Sequence, residues 1–337
     1  MSDTPLILGI ETSCDETGVA VVEGTRVRSS VLGSQTEAHA RFGGVVPEVA
    51  ARAHVEAIRP LVHTALTAAG VHSDQVDAVA ATRGPGLAGA LMVGYSFAKA
   101  LAWSLGKPFV GVDHMEGHLI APILAHPGYA PPAVVVLASG GHSQIVHVRG
   151  WGDYDVMGRT IDDAAGEAFD KLARFMGLGY PGGPAIDLAS DGGNPEAIPF
   201  PRALRDRPYD FSFSGLKTSV TTYLEKGKAT GSLGSLADVA ASLQEAIVDV
   251  LVDKTMAAVD ATGVEVVAGG GGVLANRRLR DRLAAEAARR GVRLCLPPPE
   301  LCTDNGAMIA VAAGFRLERG DTAGWDSDVD PGLRLGA

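Results

Sequence analysis

At 337 residues the chain is long enough for two domains, or for one fold built of two similar halves, and 46% hydrophobic residues can fill a large core, which excludes disorder. A net charge of −10 argues against unaided tight binding of nucleic acid, so any such role needs local basic patches or a partner. Aromatics are only 5% against 43 glycines, which points to loops that approach a ligand, and no apolar run is long enough to span a membrane.

The first half opens with three short strands, Leu6–Ile10, Val19–Val22 and Val27–Leu32. The first two are joined by the polar loop Glu11–Gly18, and Gly24 turns into the third. A Gly-rich loop, 43–47, precedes a helical region from Glu48 to Ala69, with Pro60 marking a break. Val76–Ala81 reads as a strand, Arg83–Gly86 as a loop and Leu87–Leu105 as a long apolar helix. Phe109–Val112 is the last strand of this half. The pattern then restarts with strand Ala133–Ala138, the tight loop Ser139–His142 and the returning strand Gln144–Val148. Helices are expected at Asp163–Met176 and Ser235–Thr262, on either side of a long Pro/Gly-rich insertion. Strand Val264–Ala268, the glycine run 269–272, helix Val273–Arg290, strand Val292–Leu296 and a last helix from about Asp304 to Leu317 complete the order. The tail after Gly320 is polar and expected to be loosely held.

Laid side by side, the halves share one order of elements, which implies an α/β fold of two similar subdomains facing a central cleft. The expected division is 1–113 with 304–337 for one subdomain and 114–303 for the other. The N-terminus lacks a basic-then-apolar leader, and the three cysteines (Cys14, Cys295, Cys302) show no CxxC spacing. Both features point to a cytoplasmic protein with reduced thiols.

His114 and His118 lie four residues apart, just after the Phe109–Val112 strand. Asp113 followed by Glu116 is a helix-start signature, and positions i and i+4 share a helix face. Two imidazoles on one face can hold a divalent metal if a third ligand comes from elsewhere; otherwise they are structural residues of a capped helix. Glu116 sits roughly 200° round the helix from His114, so it cannot reach metal-bound water as the glutamate of a zinc protease does. A peptidase is excluded on that geometry. In the half-to-half register the Asp304 helix is the counterpart of the His114 helix. That symmetry brings Asp304 to the histidines and favours the metal reading, although Thr303 or Asp304 would also serve as a helix cap.

The loops Glu11–Gly18 and Leu137–Ser143 occupy matching places, and their Gly and Ser residues let backbone amides turn toward phosphate. Four glycines in a row at 269–272, before a helix start, are a further place for close approach of a nucleotide.

These motifs together resemble the tRNA N6-adenosine threonylcarbamoyltransferase family (TsaD, once described as glycoproteases), a branch of the actin-like (ASKHA) superfamily. The likeness runs along almost the whole chain. It is carried by the segments Gly9–Gly18, Thr82–Leu87, Asp113–His118, Ser139–His142, Tyr180–Pro184, Phe211–Thr218, Gly270–Arg280 and Cys302–Met308. Ser143, where threonine is common, and Leu274, where a small residue is, are minor departures. The resemblance implies one divalent metal, iron(II) first and zinc(II) second, on His114, His118 and Asp304. It implies threonylcarbamoyl-adenylate held by Leu137, Ala138, Ser139, Gly140, Gly141, Asp170, Gly183, Asp187 and Asn276. It also implies transfer of the threonylcarbamoyl group to N6 of the adenosine 3′ of the anticodon, in tRNAs reading codons that begin with A. The implied partners are tRNA, a TsaB-like non-catalytic paralogue and a TsaE-like ATPase, with no membrane. Asp15 or Glu16 is the acidic candidate to take the amine proton. The alternatives are a small-molecule kinase or ATPase of the same superfamily, which has no need of the two histidines, and a non-catalytic nucleotide-binding scaffold, which has no need of Asp15 and Glu16.

Overall fold

The computed structural model describes residues 4–40, 42 and 44–336, so Gly43 of the expected Gly-rich loop lies outside the described residues. In chain order the elements begin with β1 (Leu6–Glu11), β2 (Glu16–Glu23), β3 (Arg26–Ser34), α1 (Thr36–Ala40), α2 (Pro47–Ala69), β4 (Ala78–Gly84) and α3 (Ala88–Leu105). They continue with β5 (Phe109–Asp113), α4 (His114–Ile120), β6 (Ala133–Ala138), β7 (Ser143–Gly150), β8 (Asp153–Arg159), α5 (Ala165–Met176) and α6 (Gly182–Ala189). The rest are α7 (Ser214–Thr230), α8 (Leu236–Thr262), β9 (Val266–Gly270), α9 (Arg277–Arg290), β10 (Arg293–Cys295) and α10 (Gly306–Glu318). No helix among the described residues is long and apolar enough to cross a membrane.

Two compact units result, Met1–Gly128 with Thr303–Ala337, and Tyr129–Cys302. The division falls after Gly128 rather than at 113/114, and α4 therefore goes with the first unit. The reason is packing: every residue of α4 is buried and the helix lies against α10. In the first unit the sheet order is β3-β2-β1-β4-β5, with β1–β2 and β2–β3 antiparallel and β1–β4 and β4–β5 parallel. The second unit repeats it as β8-β7-β6-β9-β10, with the same alternation of antiparallel and parallel pairs. This repeated topology is the duplicated α/β fold of the actin-like class.

In the first unit β1 and β2 are buried nearly end to end, because α2 and α3 cover one side and α10 the other. A small-residue contact sets the closeness of α10. A Cβ on Gly9 would lie 2.4 Å from the Gly306 carbonyl oxygen and 2.6 Å from the Ala310 amide nitrogen, both backbone atoms that cannot swing aside. Gly9→Ala is expected to cost about 1–3 kcal/mol through overpacking, seen as a fall in melting temperature. An unchanged melting curve would mean that α10 does not lie against β1.

Sequence expectation and structure differ in several places. Pro60 does not break α2, which runs through it; the buried stripe Ala50, His54, Ile58, Val62, Ala65 and Ala69 holds both halves of the helix on the sheet. The tail is tied down rather than loose. Ala323 donates to the Phe109 carbonyl, Asp330 to that of Arg83, and Lys99 and Tyr95 both reach Ser327. The edge strand β8 carries no apolar run, since three of its seven residues face solvent and one is buried, and no strand was placed there from the sequence. Both α6 and α7 lie in the stretch expected to be a connection. Pro184 falls in the first turn of α6, where its missing N–H costs nothing, and α7 buries Leu216, Val220 and Leu224 at four-residue spacing.

Candidate functional site

Strand β5 ends at Asp113, whose carboxylate caps α4 by accepting from the Met115 amide at 2.7 Å and the Glu116 amide at 3.3 Å. The helix starts one residue later, and the i, i+4 spacing places His114 and His118 on one face, with ring centroids 4.7 Å apart and planes at 85°. Across from them stands Asp304. Its Oδ1 lies 3.1 Å from His118 Nε2 and 3.5 Å from His114 Nε2, and one ligand atom from each residue falls within 4.8 Å of the others.

Asp304 is available for this because it does not cap α10. That role belongs to Asn305, whose side chain accepts from the Met308 amide at 2.9 Å, where the sequence suggested Thr303 or Asp304. Glu116, the second residue of the helix-start signature, points its fully buried carboxylate at Arg316 of α10, 2.5 Å away. It thereby clamps the helix carrying the histidines to the helix that Asp304 precedes.

The donor set fits a divalent cation: two imidazole nitrogens and one carboxylate oxygen, the imidazoles almost wholly shielded from solvent. Among the described residues His118 Nδ1 is the buried side-chain nitrogen or oxygen with no hydrogen-bond partner. His114 Nδ1 instead lies 3.0 Å from Glu11 Oε2 and 3.2 Å from Ser13 Oγ. A carboxylate only accepts, so His114 Nδ1 carries a proton toward Glu11, and Nε2, which faces Asp304, is the nitrogen a cation would take once its own proton has left. Glu11 is fully buried and also accepts from Thr82 Oγ1 at 2.6 Å and from the Ser13 amide.

This supporting carboxylate was not singled out from the sequence. Its only signal was a charged residue ending an otherwise apolar strand, which is what a buried, fully partnered acid looks like. Burial works against charge on the His114 ring, but the Asp304 and Glu11 carboxylates outweigh it and hold its pKa up at about 9 when no cation is present.

The hairpin between β1 and β2 carries Asp15 and Glu16 in the same unit as His114, His118 and Asp304, both half-buried. Burial first, then the charges of Asp304, Asp15 and Glu11, push the Glu16 carboxyl up to about 8. Burial and the neighbouring acids raise the thiol pKa of Cys14 beside them far above the usual range, which disfavours the thiolate.

In the second unit the remaining expected residues lie along one closed circuit at the carboxyl ends of β6 and β9. Leu137 and Ala138 end β6, and the Ser139 amide donates to the His142 carbonyl at 2.8 Å to close the following turn. At Gly140, Gly141 and Gly183 nothing lies within 4 Å of where a Cβ would stand, so a side chain there would meet open space. The start of α5 touches this turn through the Gly166 amide, which donates to the Ser139 carbonyl. Asp170, one turn further on, accepts from the Gly182 amide at the head of α6 at 2.7 Å. Asp187 at the other end of α6 accepts from Arg277 Nε at 2.8 Å. Asn276 caps α9, accepting from the Leu279 amide and donating to Gln244 Oε1 at 2.6 Å.

Gly271, at φ 92°, returns the circuit to β6, since a Cβ there would meet the Ala138 carbonyl oxygen at 2.4 Å. Packing therefore accounts for Gly271, and for Gly269, which abuts the side chains of Leu274 and Leu296. Two of the four consecutive glycines need no ligand. A cavity of about 270 Å³ beside this circuit is lined by Asp187, Asp191, Gln244, Arg277 and others.

Residues 26–311 match the family model described as tRNA N6-adenosine threonylcarbamoyltransferase. Proteins of that name are similar over nearly the full length. The one from Symbiobacterium thermophilum is 52% identical over 98% of this chain and 97% of its own length, that from Magnetococcus marinus 54% over 94% and 93%, and that from Clostridium perfringens 49% over 99% of each. Among solved structures, full-length HypF aligns over 95% of this chain and 57% of its own with a TM-score of 0.64 at 15% identity. Component A of the (R)-2-hydroxyglutaryl-CoA dehydratase of Acidaminococcus fermentans aligns over 94% and 99% with a TM-score of 0.55 at 16% identity. Both share the fold.

Proposed function

The chain belongs to the tRNA N6-adenosine threonylcarbamoyltransferase family, and from that premise we propose how its residues divide the work of transferring a threonylcarbamoyl group to tRNA. The observation that carries the reading is the clustering of His114, His118 and Asp304, since a kinase of the same fold has no use for two imidazoles facing one carboxylate. On this reading the acceptor is N6 of the adenosine 3′ of the anticodon and the donor is threonylcarbamoyl-adenylate. Its partners are a TsaB-like paralogue and a TsaE-like ATPase, and the setting is the cytoplasm, consistent with three free cysteines.

The exocyclic amine of adenosine is a poor nucleophile because its lone pair is delocalised into the ring. The carbonyl it attacks must therefore arrive activated, as the mixed anhydride of an adenylate. A C–N bond forms, the bond from the carbonyl carbon to the phosphate oxygen breaks, and AMP leaves. The Gly140 and Gly141 amides are assigned to the phosphate, with Ser139 closing their turn and Leu137 and Ala138 placing it at the end of β6. Asp170, Gly183, Asp187 and Asn276 are assigned to the adenosine end.

His114, His118 and Asp304 would hold one divalent cation, iron(II) before zinc(II), with Glu11 fixing the His114 ring. Such a cation supplies Lewis acidity toward a carbonyl oxygen. Asp15 or Glu16 receives the amine proton.

The test is metal-loaded chain with synthetic threonylcarbamoyl-adenylate and unmodified tRNA, with and without the partner proteins. N6-threonylcarbamoyladenosine in the digested tRNA is the expected product. Phosphorylation of a small molecule, with tRNA left unmodified even when the partners are present, would give the assignment to the kinase alternative.

A further inference from the structure

We infer that His54 is a positioning residue for the Asp15–Glu16 hairpin, acting through the Cys14 carbonyl; the inference rests on the reading of those two acids as the proton acceptor. Three successive carbonyls of the hairpin are each held from a different element. Ser13 O accepts from the Leu87 amide at 2.8 Å, Cys14 O from His54 Nε2 at 3.0 Å, and Asp15 O from the Gln35 amide at 3.2 Å. The outer two donors are backbone groups. The middle one is a side chain reaching across from α2, so among the three it is the donor that a side-chain change can remove without altering the backbone.

The direction of the His54 hydrogen bonds is fixed by a buried relay. The Val46 amide lies 3.3 Å from His39 Nδ1 and can only donate, so the His39 proton is on Nε2. That proton goes to Gln35 Oε1 at 3.2 Å, which sets the amide of Gln35 with its nitrogen toward His54 Nδ1 at 3.3 Å. His54 Nδ1 is therefore an acceptor, taking the Thr17 hydroxyl at 2.7 Å as well, and the ring's proton is on Nε2, aimed at Cys14 O.

His39, His54 and Thr17 are fully buried, and each polar atom of the relay has a partner. Both imidazoles must be neutral for this pattern, and burial indeed lowers the His54 pKa. A satisfied polar chain under α2 with its last donor on the loop that carries two acids is costly to build for packing alone. An apolar side chain would fill the same space.

The experiment compares His54→Leu, which fills the space without a donor, with His54→Gln, whose amide nitrogen can reach Cys14 O. Two quantities are read: amide hydrogen exchange across Cys14–Thr17, and single-turnover transfer at saturating donor and tRNA. The leucine variant is expected to exchange faster in that segment, with transfer slowed about 10- to 100-fold, metal content unchanged and exchange elsewhere as in wild type. The glutamine variant recovers most of both. Should the leucine variant fail to fold, His54→Asn, whose amide falls short of Cys14 O, makes the same comparison.

Wild-type exchange and transfer in the leucine variant would overturn the inference, as would glutamine being as impaired as leucine. Adding Glu16→Gln and Asp15→Asn separates the two readings. If both acid variants transfer normally while His54→Leu still loosens the segment, the proton-acceptor assignment falls and the positioning of the hairpin stands.

Discussion

Asp304→Ala is expected to abolish metal binding and to slow threonylcarbamoyl transfer by about 10³-fold or more, because a cation held by these three residues would supply Lewis acidity typically worth several kcal/mol. His118→Ala should do the same, losing metal and activity together. The fold should survive either change. The Glu116–Arg316 pair and the Gly9–Gly306 contact hold α4 and α10 in place without either residue, and Asn305 rather than Asp304 caps α10.

The same three residues set a pH dependence. Two carboxylates keep the His114 ring protonated up to about pH 9 in the empty site, and a cation must displace that proton. Apparent affinity for Zn²⁺, measured by competition with a chromophoric chelator, should strengthen as pH rises toward about 9 and then level. In the metal-free protein, the stabilisation that His114 draws from Glu11 and Asp304 is fully present below its ordinary value of 6.5 and is lost as pH rises through about 9. Full metal occupancy in purified Asp304→Ala or His118→Ala protein would remove this site from the account.

Glu16→Gln keeps the shape of the hairpin and removes the base, so transfer should fall ~10²–10⁴-fold while donor binding survives. Burial and the charges of Asp304, Asp15 and Glu11 lift the Glu16 carboxyl to about 8, nearer the range where a carboxylate can take a proton at neutral pH. If Glu16 is the acceptor, the rise of the transfer rate with pH in the wild type should be lost in Glu16→Gln. Near-normal single-turnover transfer in both Glu16→Gln and Asp15→Asn would sink the assignment and leave metal and positioning as the whole mechanism.

Much of this architecture was legible in the sequence because it depends on local chemistry. Apolar runs bounded by Gly and polar turns marked most of the buried strands, and the spacing of His114 and His118 placed both rings on one helix face wherever that helix might go. What failed locally did so for identifiable reasons. Strand β8 lies at an edge and needs no apolar run, Pro60 is tolerated because the buried stripe of α2 continues past it, and Pro184 sits in the first turn of a helix that its neighbours hid among Pro and Gly.

The site itself was decided by tertiary structure. Asp304 stands 186 residues from His118 in sequence, and only the packing of α10 on β1 and α4 brings its carboxylate within 3.1 Å of that ring. The half-to-half register anticipated the meeting, yet the structure puts all three residues in one unit. The capping of α10 by Asn305, the orientation of His114 by Glu11 and the relay from His39 to Cys14 are likewise pairings of distant residues. A sequence marks a residue's chemical type and its period along a helix or strand. Which buried donor meets which acceptor depends on how close two backbones can pass, and here glycines such as Gly9 and Gly306, with no side chain at all, settled that distance.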